Sequence, residues 1–405
     1  MAWKELKVAV PSYFKCPISL DLMRDPVNVC TGMTYDRSNI ERWLDDGHNT
    51  CPATMQVLQN QDLIPNHTLR RLIQSWGVAN KSMGVERIPT PRQPLDRHQV
   101  QVLLKEAIRN DLMRLDTLKK LREKAKESLR NRNCMVEAGA VAVLSSILAS
   151  SPMEAKDMEV CEEALGTLSM LSMDDSAKRM VAGAKQLSCL SWVLSKGSLD
   201  ARINASTLLE DLASIHELSR AVGCTAGVIE ALVELLQEDL NQMAVKIALR
   251  ALCAIATSRR HCRGIVEAGA VGILVELLPS VEKSAAEHVL VILETLCKCA
   301  EGRAAVAEHA LAIPAITKRM SRVSDAAAES AIGTLWAVCS FCADETTVHE
   351  RAVEAGLFAK LILLLQMEFS ASTKYKIADI LRLLRNVCND HPNKCNFDDA
   401  RSVVM

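Results

Sequence analysis

The segment from Cys16 to Cys51 carries the side chains best suited to bind a metal or to attack a substrate. Its candidate ligands are Cys16, Cys30, His48 and Cys51. Structural zinc sites take four ligands, usually supplied in closely spaced pairs such as C-x2-4-C. Only His48 and Cys51 are close in sequence here, so we expect this segment to bind no metal and the chain to carry no cofactor.

A cysteine could also act as a nucleophile, which requires a lowered thiol pKa. Phe14 and Ile18, two residues to either side of Cys16, supply neither a base nor a positive charge. The sequence has no GxxxxGK or G-x-S-x-G motif, and the segments HELSR and HERAV lack the second histidine of HExxH. We therefore expect these cysteines to be small buried core residues, with no self-contained active site in the chain.

The overall composition excludes several classes of partner. The chain has 405 residues, a net charge of −1 and only 3% aromatic residues. A near-neutral chain has no general attraction to nucleic acid, and runs such as LFAKLILLLQM are too short to cross a bilayer. We therefore expect no nucleic-acid partner and no transmembrane segment. Fifteen cysteines without a signal-like segment indicate a reducing compartment, so we expect a cytoplasmic protein, with nuclear and peripheral membrane locations as alternatives.

The chain divides at the segment GVERIPTPRQPLDR, whose three prolines prevent a regular helix or central strand. Turn-forming residues are dense before this segment, and long aliphatic helical patterns follow it. The sequence therefore predicts a small α+β module followed by a mainly α region. The predicted boundaries are an N-terminal extension at 1–10, a first domain at 11–83, a linker at 84–97, a repeat region at 98–395 and a tail at 396–405.

Two helices are predicted in the first domain from their capping residues. The segment SNIERWLDDG has Ser38 as its candidate N-cap and Gly47 beyond its end. The segment NHTLRRLIQSW has Asn66 as its candidate N-cap.

The second region repeats itself. An Ala-Gly pair followed by an apolar stretch recurs at Gly139, Gly183, Gly227, Gly269 and Gly356, and the first four glycines are 44, 44 and 42 residues apart. A second landmark, an L-x-x-L pair on a later helix, recurs with the same period. Two or three helices in a unit of 40–47 residues are the signature of an armadillo or HEAT α-solenoid. We expect about six to seven armadillo units.

The first domain resembles a U-box, which has a RING-like fold without metal. The resemblance covers residues 11–80 and rests on an ordered series of turn and core residues, including "FKCPI", "DPV", "TYDR" and "IPN". It implies that hydrogen bonds, ion pairs and prolines hold the loops that zinc holds in a RING. The implied structural residues are Phe14, Cys16, Pro17, Pro26, Val27, Tyr35, Asp36, Arg37, Cys51 and Asn66.

A U-box followed by armadillo repeats resembles the plant U-box/armadillo E3 ubiquitin ligases, relatives of which often act in immune and stress signalling. The resemblance implies that the protein binds a ubiquitin-charged E2 and a substrate together, with no covalent enzyme intermediate. Ile18, Trp43 and Pro52 are the implied E2-binding residues. Because charged residues surround Trp43 in sequence, we expect it to be an exposed contact residue.

One position departs from the family pattern. A basic residue commonly follows the second Cys-Pro pair by three positions and bridges E2 and ubiquitin, but here Met55 stands there. Two functions therefore remain open: an active ubiquitin ligase, and a non-catalytic armadillo scaffold with a degenerate U-box. A homodimer formed through the U-box also remains open.

The last helix of each armadillo unit is expected to line a groove for the protein substrate. The residue after the first core position of each L-x-x-L pair is the candidate groove residue. The charged candidates are Glu210, Arg250, Glu294 and Arg382. Their signs alternate, whereas a groove for nucleic acid would be uniformly basic. Trp336 is expected to lie in the core, because large aromatic side chains are usually buried.

Overall fold

The computed structural model describes residues 10–45, 47–81, 95–238, 241–320 and 322–390. The chain forms two compact units, Met1–Pro94 and Leu95–Met405, which we call the N-terminal unit and the repeat region. Residues 1–9 of the predicted extension, residues 84–94 of the predicted linker and the predicted tail lie outside the described residues.

The N-terminal unit is built on a small antiparallel sheet. Its strands are β1 (Pro26–Asn28), β2 (Thr34–Asp36) and β3 (Ile64–Pro65), in the order β2-β1-β3. Val27 in the central strand lies opposite Tyr35 on one side and Pro65 on the other. Two helices, α1 (Arg37–Asp45) and α2 (His67–Ala79), complete the unit, and a single 3-10 turn (Ser12–Phe14) precedes them.

The two predicted helix caps have different outcomes. Asn66 caps α2 as predicted, since its side chain accepts a hydrogen bond from the backbone N–H of Leu69 at 3.0 Å. The prediction of Ser38 as the cap of α1 is wrong, because the helix begins at Arg37 and Ser38 lies in its first turn. The Ser38 hydroxyl instead donates to the carboxylate of Asp36 at 2.8 Å.

The core of the N-terminal unit contains few side chains. Among its described residues, ten hydrophobic residues are buried: Phe14, Cys16, Met23, Val27, Val29, Tyr35, Ile40, Cys51, Leu58 and Ile73. Trp43 and Trp76 are partly buried against this cluster. A core of this size leaves much of the fold to polar contacts.

The described part of the repeat region is entirely helical apart from its turns. It begins with the pair α3 (Arg97–Arg109) and α4 (Asp111–Glu127), after which six three-helix units follow. The first helices are α5 (Leu129–Glu137), α8 (Asp175–Val181), α11 (His216–Cys224), α14 (Arg259–Glu267), α17 (Ala300–Glu308) and α20 (Glu345–Glu354). The second helices are α6 (Ala140–Ser150), α9 (Ala184–Lys196), α12 (Val228–Leu235), α15 (Ala270–Leu277), α18 (Ala312–Arg319) and α21 (Leu357–Leu364). The third helices are α7 (Met158–Leu168), α10 (Leu199–Ala213), α13 (Gln242–Ala256), α16 (Lys283–Leu296), α19 (Asp325–Phe341) and α22 (Ala371–Asp390).

Glycine makes the bend between the first and second helices of most units. Gly139 and Gly269, for example, have φ values of 86° and 80°, in the left-handed region that glycine enters without a steric penalty. Gly183 differs, since its backbone is extended with φ −61° and ψ 149°. The unit that contains α17 and α18 makes the bend without glycine, and Leu311 precedes its second helix.

The third helices pack side by side, each against the next, from α4 through α22. Their L-x-x-L pairs point into one continuous core: Leu249 and Leu252 of α13, for example, are fully buried. We call the surface that these seven helices form together the third-helix face. In the described residues no single helix is long and apolar enough to cross a membrane; α5 and α6 reach that length only as a pair bent by 73°.

Candidate functional site

Two loops of the N-terminal unit share one backbone geometry. Loop 1 comprises residues 15–22 and loop 2 comprises residues 50–57, and an antiparallel bridge closes each loop at its ends. In loop 1 the N–H of Cys16 donates to the carbonyl of Asp21, and the N–H of Leu20 donates back to the carbonyl of Cys16, both at 2.8 Å. Loop 2 repeats both contacts at 2.8 Å with Cys51, Gln56 and Met55 in the corresponding places.

Equivalent positions of the two loops carry exposed apolar side chains on unusual backbone. Leu20 has φ 61° and Met55 has φ 58°, and the two residues are 70% and 67% exposed. Residues other than glycine seldom adopt this left-handed conformation, and when they do they cluster at functional loops. Leu20 was not among the predicted site residues, although it and Met55 each lie four residues after the cysteine of a Cys-Pro pair.

The two cysteine thiols are buried and serve as hydrogen-bond centres for the loops. The sulfur of Cys16 accepts from the backbone N–H of Asp36 at 3.3 Å and from Asn39 Nδ2 at 3.4 Å. The sulfur of Cys51 accepts from the Thr31 hydroxyl at 3.3 Å and lies 3.0 Å from the Tyr35 hydroxyl. The expectation of buried core thiols is confirmed for Cys16 and Cys51, with these polar contacts as an addition to it, and is wrong for Cys30, which is exposed.

The surroundings of Cys51 also change its acidity. Burial raises the pKa of its thiol, but hydrogen bonds from Thr31, Thr54 and Tyr35 outweigh burial and lower that pKa to about 6. Burial and the contact with Cys51 raise the pKa of Tyr35, so its hydroxyl stays protonated. That hydroxyl also accepts the backbone N–H of Ala53 at 3.0 Å and thereby ties loop 2 to β2. Cys51 is fully buried, which keeps its sulfur from attacking an external substrate.

Charged side chains fix the segment between loop 1 and β1 to β2, α1 and α2. Asp25 accepts from Arg37 Nε at 2.7 Å and from Arg70 on α2. Asp36 accepts the backbone N–H groups of Arg24 and Asp25, both at 2.7 Å. Within the described part of the chain, no group of three or more His, Cys, Asp or Glu side chains could hold a metal ion.

The remaining implied structural residues pack around the sheet. Val27 is fully buried, and the Phe14 ring lies edge-on to Trp76 with ring centres 6.0 Å apart. The carbonyl of Pro26 accepts the backbone N–H of Asn66 at 2.8 Å. Pro17 is exposed in loop 1.

Helix α1 links the two loops through side chains one turn apart. Asn39 Nδ2 donates to Ser19 Oγ of loop 1 at 2.9 Å, while Trp43 Nε1 donates to the carbonyl of Thr50 in loop 2 at 2.8 Å. Residues separated by four positions lie on the same face of a helix, so one face of α1 holds both loops. The loops are therefore fixed to α1 and to each other.

The three implied E2-binding residues lie on three different elements of this assembly. Ile18 is in loop 1 with 36% of its surface exposed, Pro52 is partly exposed in loop 2, and Trp43 is on α1. The expectation that Trp43 is an exposed contact residue needs correction. Its ring is partly buried, stacks on His48 with ring centres 3.9 Å apart, and uses its N–H within the protein. Trp43 therefore also supports loop 2.

On the third-helix face, the candidate groove charges are paired with one another or with neighbours. Arg250 and Glu210 form an ion pair at 2.6 Å. Glu294 lies 3.6 Å from Lys376, and Arg382 lies 2.7 Å from a carboxylate oxygen of Asp379. Glu210 and Arg250 line a cleft of about 730 Å³ that extends from the end of α7 across α10 and α13 to α16. Glu294 and Arg382 are not among its described lining residues.

The expectation that Trp336 lies in the core needs correction. Its ring is partly buried, and its indole N–H donates to Asp379 at 2.9 Å. It therefore contributes to the surface between α19 and α22. Nothing in the sequence pairs Trp336 with Asp379, because they lie on different helices.

Comparison with known proteins accounts for both units. The chain matches the family described as the plant U-box protein ARM repeat region over residues 99–399, and the U-box domain family over residues 10–82. It is 35% identical to E3 ubiquitin-protein ligase PUB23 of Arabidopsis thaliana over 95% of each chain. It is 33% identical to E3 ubiquitin-protein ligase PUB22 of that plant, over 95% of this chain and 97% of that one.

Solved structures support the fold of the repeat region. An engineered protein from the Northeast Structural Genomics Consortium is similar with a TM-score of 0.56 and 25% identity, over 71% of this chain and 68% of its own. A chain from a structure of the cadherin and beta-catenin interaction has a TM-score of 0.60 and 16% identity, over 80% of this chain and 59% of its own. The second likeness concerns the fold alone.

Proposed function

The chain belongs to the plant family of U-box and armadillo-repeat E3 ubiquitin ligases, and we propose that loops 1 and 2 with α1 bind its E2 while the third-helix face binds its substrate. The protein is a ubiquitin ligase of the RING-like U-box type. Its partners are a ubiquitin-charged E2 and a protein substrate. Relatives named as E3 ligases align with both of its units, which favours an active ligase over a scaffold with a degenerate U-box.

The proposed E2 surface is formed by Ile18, Trp43 and Pro52. These residues come from loop 1, α1 and loop 2, and the hydrogen bonds of Asn39 and Trp43 hold these elements in one arrangement. A preformed surface loses little conformational entropy on binding, which raises affinity for a given contact area. The fixed loops are the single observation that best supports this assignment.

The reaction requires no nucleophile on this chain. A substrate lysine attacks the thioester carbonyl of ubiquitin, a new amide bond forms, and the E2 thiol leaves. The ligase accelerates this transfer by holding the charged E2 and the substrate together and by restricting the thioester to a reactive pose. The burial of Cys16 and Cys51 agrees with this scheme, since neither thiol is accessible to ubiquitin.

The location and assembly of the protein are proposed from its composition. The thirteen cysteines whose side chains the structure describes are free, which is typical of a reducing compartment such as the cytoplasm. We extend the proposal to a cytoplasmic location, with nuclear and peripheral membrane pools as the alternatives that cell fractionation tests. Sedimentation tests whether the protein forms a homodimer through its U-box.

The E2 surface can be tested with Ile18→Ala. The isoleucine side chain forms no hydrogen bonds and is partly exposed, so its truncation should disturb folding little. Removing an anchor of a small apolar interface costs about 1–4 kcal/mol of binding free energy. We expect weaker E2 binding and slower discharge of ubiquitin from E2 to free lysine, both measured with the full chain. Val78→Ala, which removes another exposed aliphatic side chain in α2, is the matched control.

Equal discharge rates for wild type, Ile18→Ala and Val78→Ala would contradict the proposed surface. Trp43→Ala is a less specific test, because it also removes the hydrogen bond to Thr50 and the stacking on His48.

A further inference from the structure

The charges of the third-helix face largely neutralise one another. Arg122 of α4 pairs with Glu163 of α7 at 3.2 Å, in the same way as Glu210 pairs with Arg250 in the middle of the face. Charged groups that already have partners gain little from a charged ligand, since new pairs must replace old ones. This surface is therefore poorly suited to select a substrate by a long run of charge.

Two glycines on the third helices make this pairing possible. A Cβ atom on Gly333 of α19 would lie 2.2 Å from the carboxylate of Glu294, and one on Gly166 would lie 2.6 Å from the guanidinium carbon of Arg122. Glu294 therefore lies across α19 and comes within 3.6 Å of Lys376 on α22. Because Gly333 has no side chain, the carboxylate of Glu294 on α16 can lie over α19 and approach Lys376 on α22.

An aromatic pair lies beside this contact and is held firmly. The rings of Trp336 and Phe341, both on α19, meet edge to face with centres 5.2 Å apart. Asp379 accepts the indole N–H of Trp336, and Lys376 Nζ lies 5.8 Å from the centre of the indole ring. A tryptophan fixed in this way offers a rigid apolar surface, which costs little entropy to use in binding.

Phe341 is the exposed member of the pair, and the guanidinium of Arg303 lies next to it. The phenylalanine is 56% exposed. The guanidinium of Arg303 lies 5.8 Å from the centre of the phenyl ring, and its Nη1 donates to the carbonyl of Cys297 at 3.1 Å. Its Nε is buried and has no hydrogen-bond partner, the side chain as a whole is partly exposed, and Arg303 pairs with no carboxylate among the described residues. An arginine beside an exposed aromatic ring is complementary to an apolar side chain next to a carboxylate.

We propose that Trp336, Phe341 and Arg303 form a substrate subsite that binds a bulky apolar side chain with an acidic residue next to it. The apolar side chain packs on Phe341 and the edge of Trp336, and the carboxylate pairs with Arg303. The subsite rests on the proposed role of the third-helix face in binding substrate. It defines the substrate class as proteins with an accessible segment in which a large apolar residue adjoins Asp or Glu.

A random linear peptide library displayed on phage and selected on the immobilised full chain tests the subsite. We expect the recovered peptides to share a large apolar residue next to Asp or Glu. A synthetic peptide of the recovered sequence should bind Phe341→Ala at least tenfold more weakly than wild type. Leu311→Ala, which truncates an exposed leucine away from the third helices, should bind it as wild type does.

A charge exchange tests the role of Arg303. Arg303→Gln should weaken binding of the acidic peptide, and the same peptide with its Asp or Glu changed to the amide should bind both proteins equally. Circular dichroism melting of each variant shows whether the repeat region is folded. Trp336→Phe, which keeps one aromatic ring but removes the N–H donated to Asp379 and part of the apolar ring surface, is the second variant should Phe341→Ala be unstable, and we expect it to weaken binding as well.

Three results would overturn the subsite: no recovered peptides in common, a common motif without an apolar–acidic pair, or undiminished binding by folded Phe341→Ala and Trp336→Phe. Discharge of ubiquitin from E2 to free lysine does not involve the substrate, so it should be the same in all these variants. Loss of discharge in the wild-type chain itself would instead count against the proposed function.

Discussion

The N-terminal unit and the repeat region are stabilised in different ways. The N-terminal unit buries ten hydrophobic side chains and relies on single polar contacts, such as Asp25 with its two arginines. The repeat region buries the same leucine pair again and again in one continuous core. Each polar contact of the first unit is therefore hard to replace, whereas each contact of the second is one among many.

Ion pairs show the difference most clearly. Asp25, Arg37 and Arg70 are 14%, 12% and 17% exposed at their side chains, so loss of Asp25 leaves Arg70 largely buried without its carboxylate and leaves Arg37 only the longer contact to Glu41 at 3.6 Å. In the repeat region, the Arg250 side chain that pairs with Glu210 is 48% exposed and can turn to water instead. The Asp25 pairs therefore have a structural role, whereas the more exposed Arg250–Glu210 pair has a minor one.

Asp25→Asn should produce the largest effect. It keeps the size of the side chain and removes the charge that Arg37 and Arg70 require, at a cost on the order of 3–5 kcal/mol. A small domain has little stability to spare, so we expect the N-terminal unit to unfold and discharge of E2 to stop. Glu210→Gln, the matched change in the repeat region, should cost less than about 1 kcal/mol.

Hydrogen exchange followed peptide by peptide distinguishes the two units in the same full-length sample. Asp25→Asn should lose protection only in the N-terminal unit, and Glu210→Gln should lose almost none. Equal and small losses in both variants would mean that the polar contacts of the N-terminal unit are as dispensable as those of the repeats.

Met55→Arg should have the next largest effect, and it raises activity. Methionine offers no hydrogen-bond donor, whereas arginine could donate to both E2 and ubiquitin and hold the thioester in its reactive pose. Such bonds contribute about 1.5–3 kcal/mol, or roughly tenfold to a hundredfold in rate if formed in the transition state. Because Met55 and arginine are both unbranched at Cβ, the left-handed backbone of loop 2 should be retained.

Single-turnover discharge of ubiquitin from E2 to free lysine measures this effect. Met243→Arg makes the same chemical change at an exposed position of α13 and should leave the rate unchanged. If Met55→Arg and Met243→Arg both discharge E2 at the wild-type rate, other residues close the complex and Met55 is only an exposed loop residue.

Removing metal should have no effect at all. Contacts from Asp25, Asp36 and Tyr35 hold the loops of the N-terminal unit, so a strong chelator should change neither its unfolding temperature nor the discharge rate. Domains held by structural zinc unfold under such treatment, which makes the comparison decisive. Stoichiometric zinc in the purified protein, or unfolding on chelation, would contradict this prediction.

Helix positions and the repeat were readable from the sequence because they depend on local pattern. The Ala-Gly and L-x-x-L pairs recur at a nearly constant period, and Asn66 has the side chain that an N-cap needs. The cap of α1 was mistaken because Ser38 and Asp36 are both good capping residues. The bend of β2 into the helix, which a sequence does not display, makes the helix begin at Arg37.

The candidate site was only partly readable, since its chemistry depends on contacts between distant residues. Sequence alone predicted Ile18, Trp43 and Pro52 as E2-binding residues through a resemblance to a family, and it showed that the N-terminal unit has no C-x2-4-C pair of metal ligands. Only the tertiary structure decided that Trp43 ties α1 to loop 2, that Leu20 and Met55 are equivalent, and that Glu294 reaches Lys376 across Gly333. Periodicity and capping follow from interactions within a few residues of the chain, whereas the partner of a polar side chain is set by how separate elements pack.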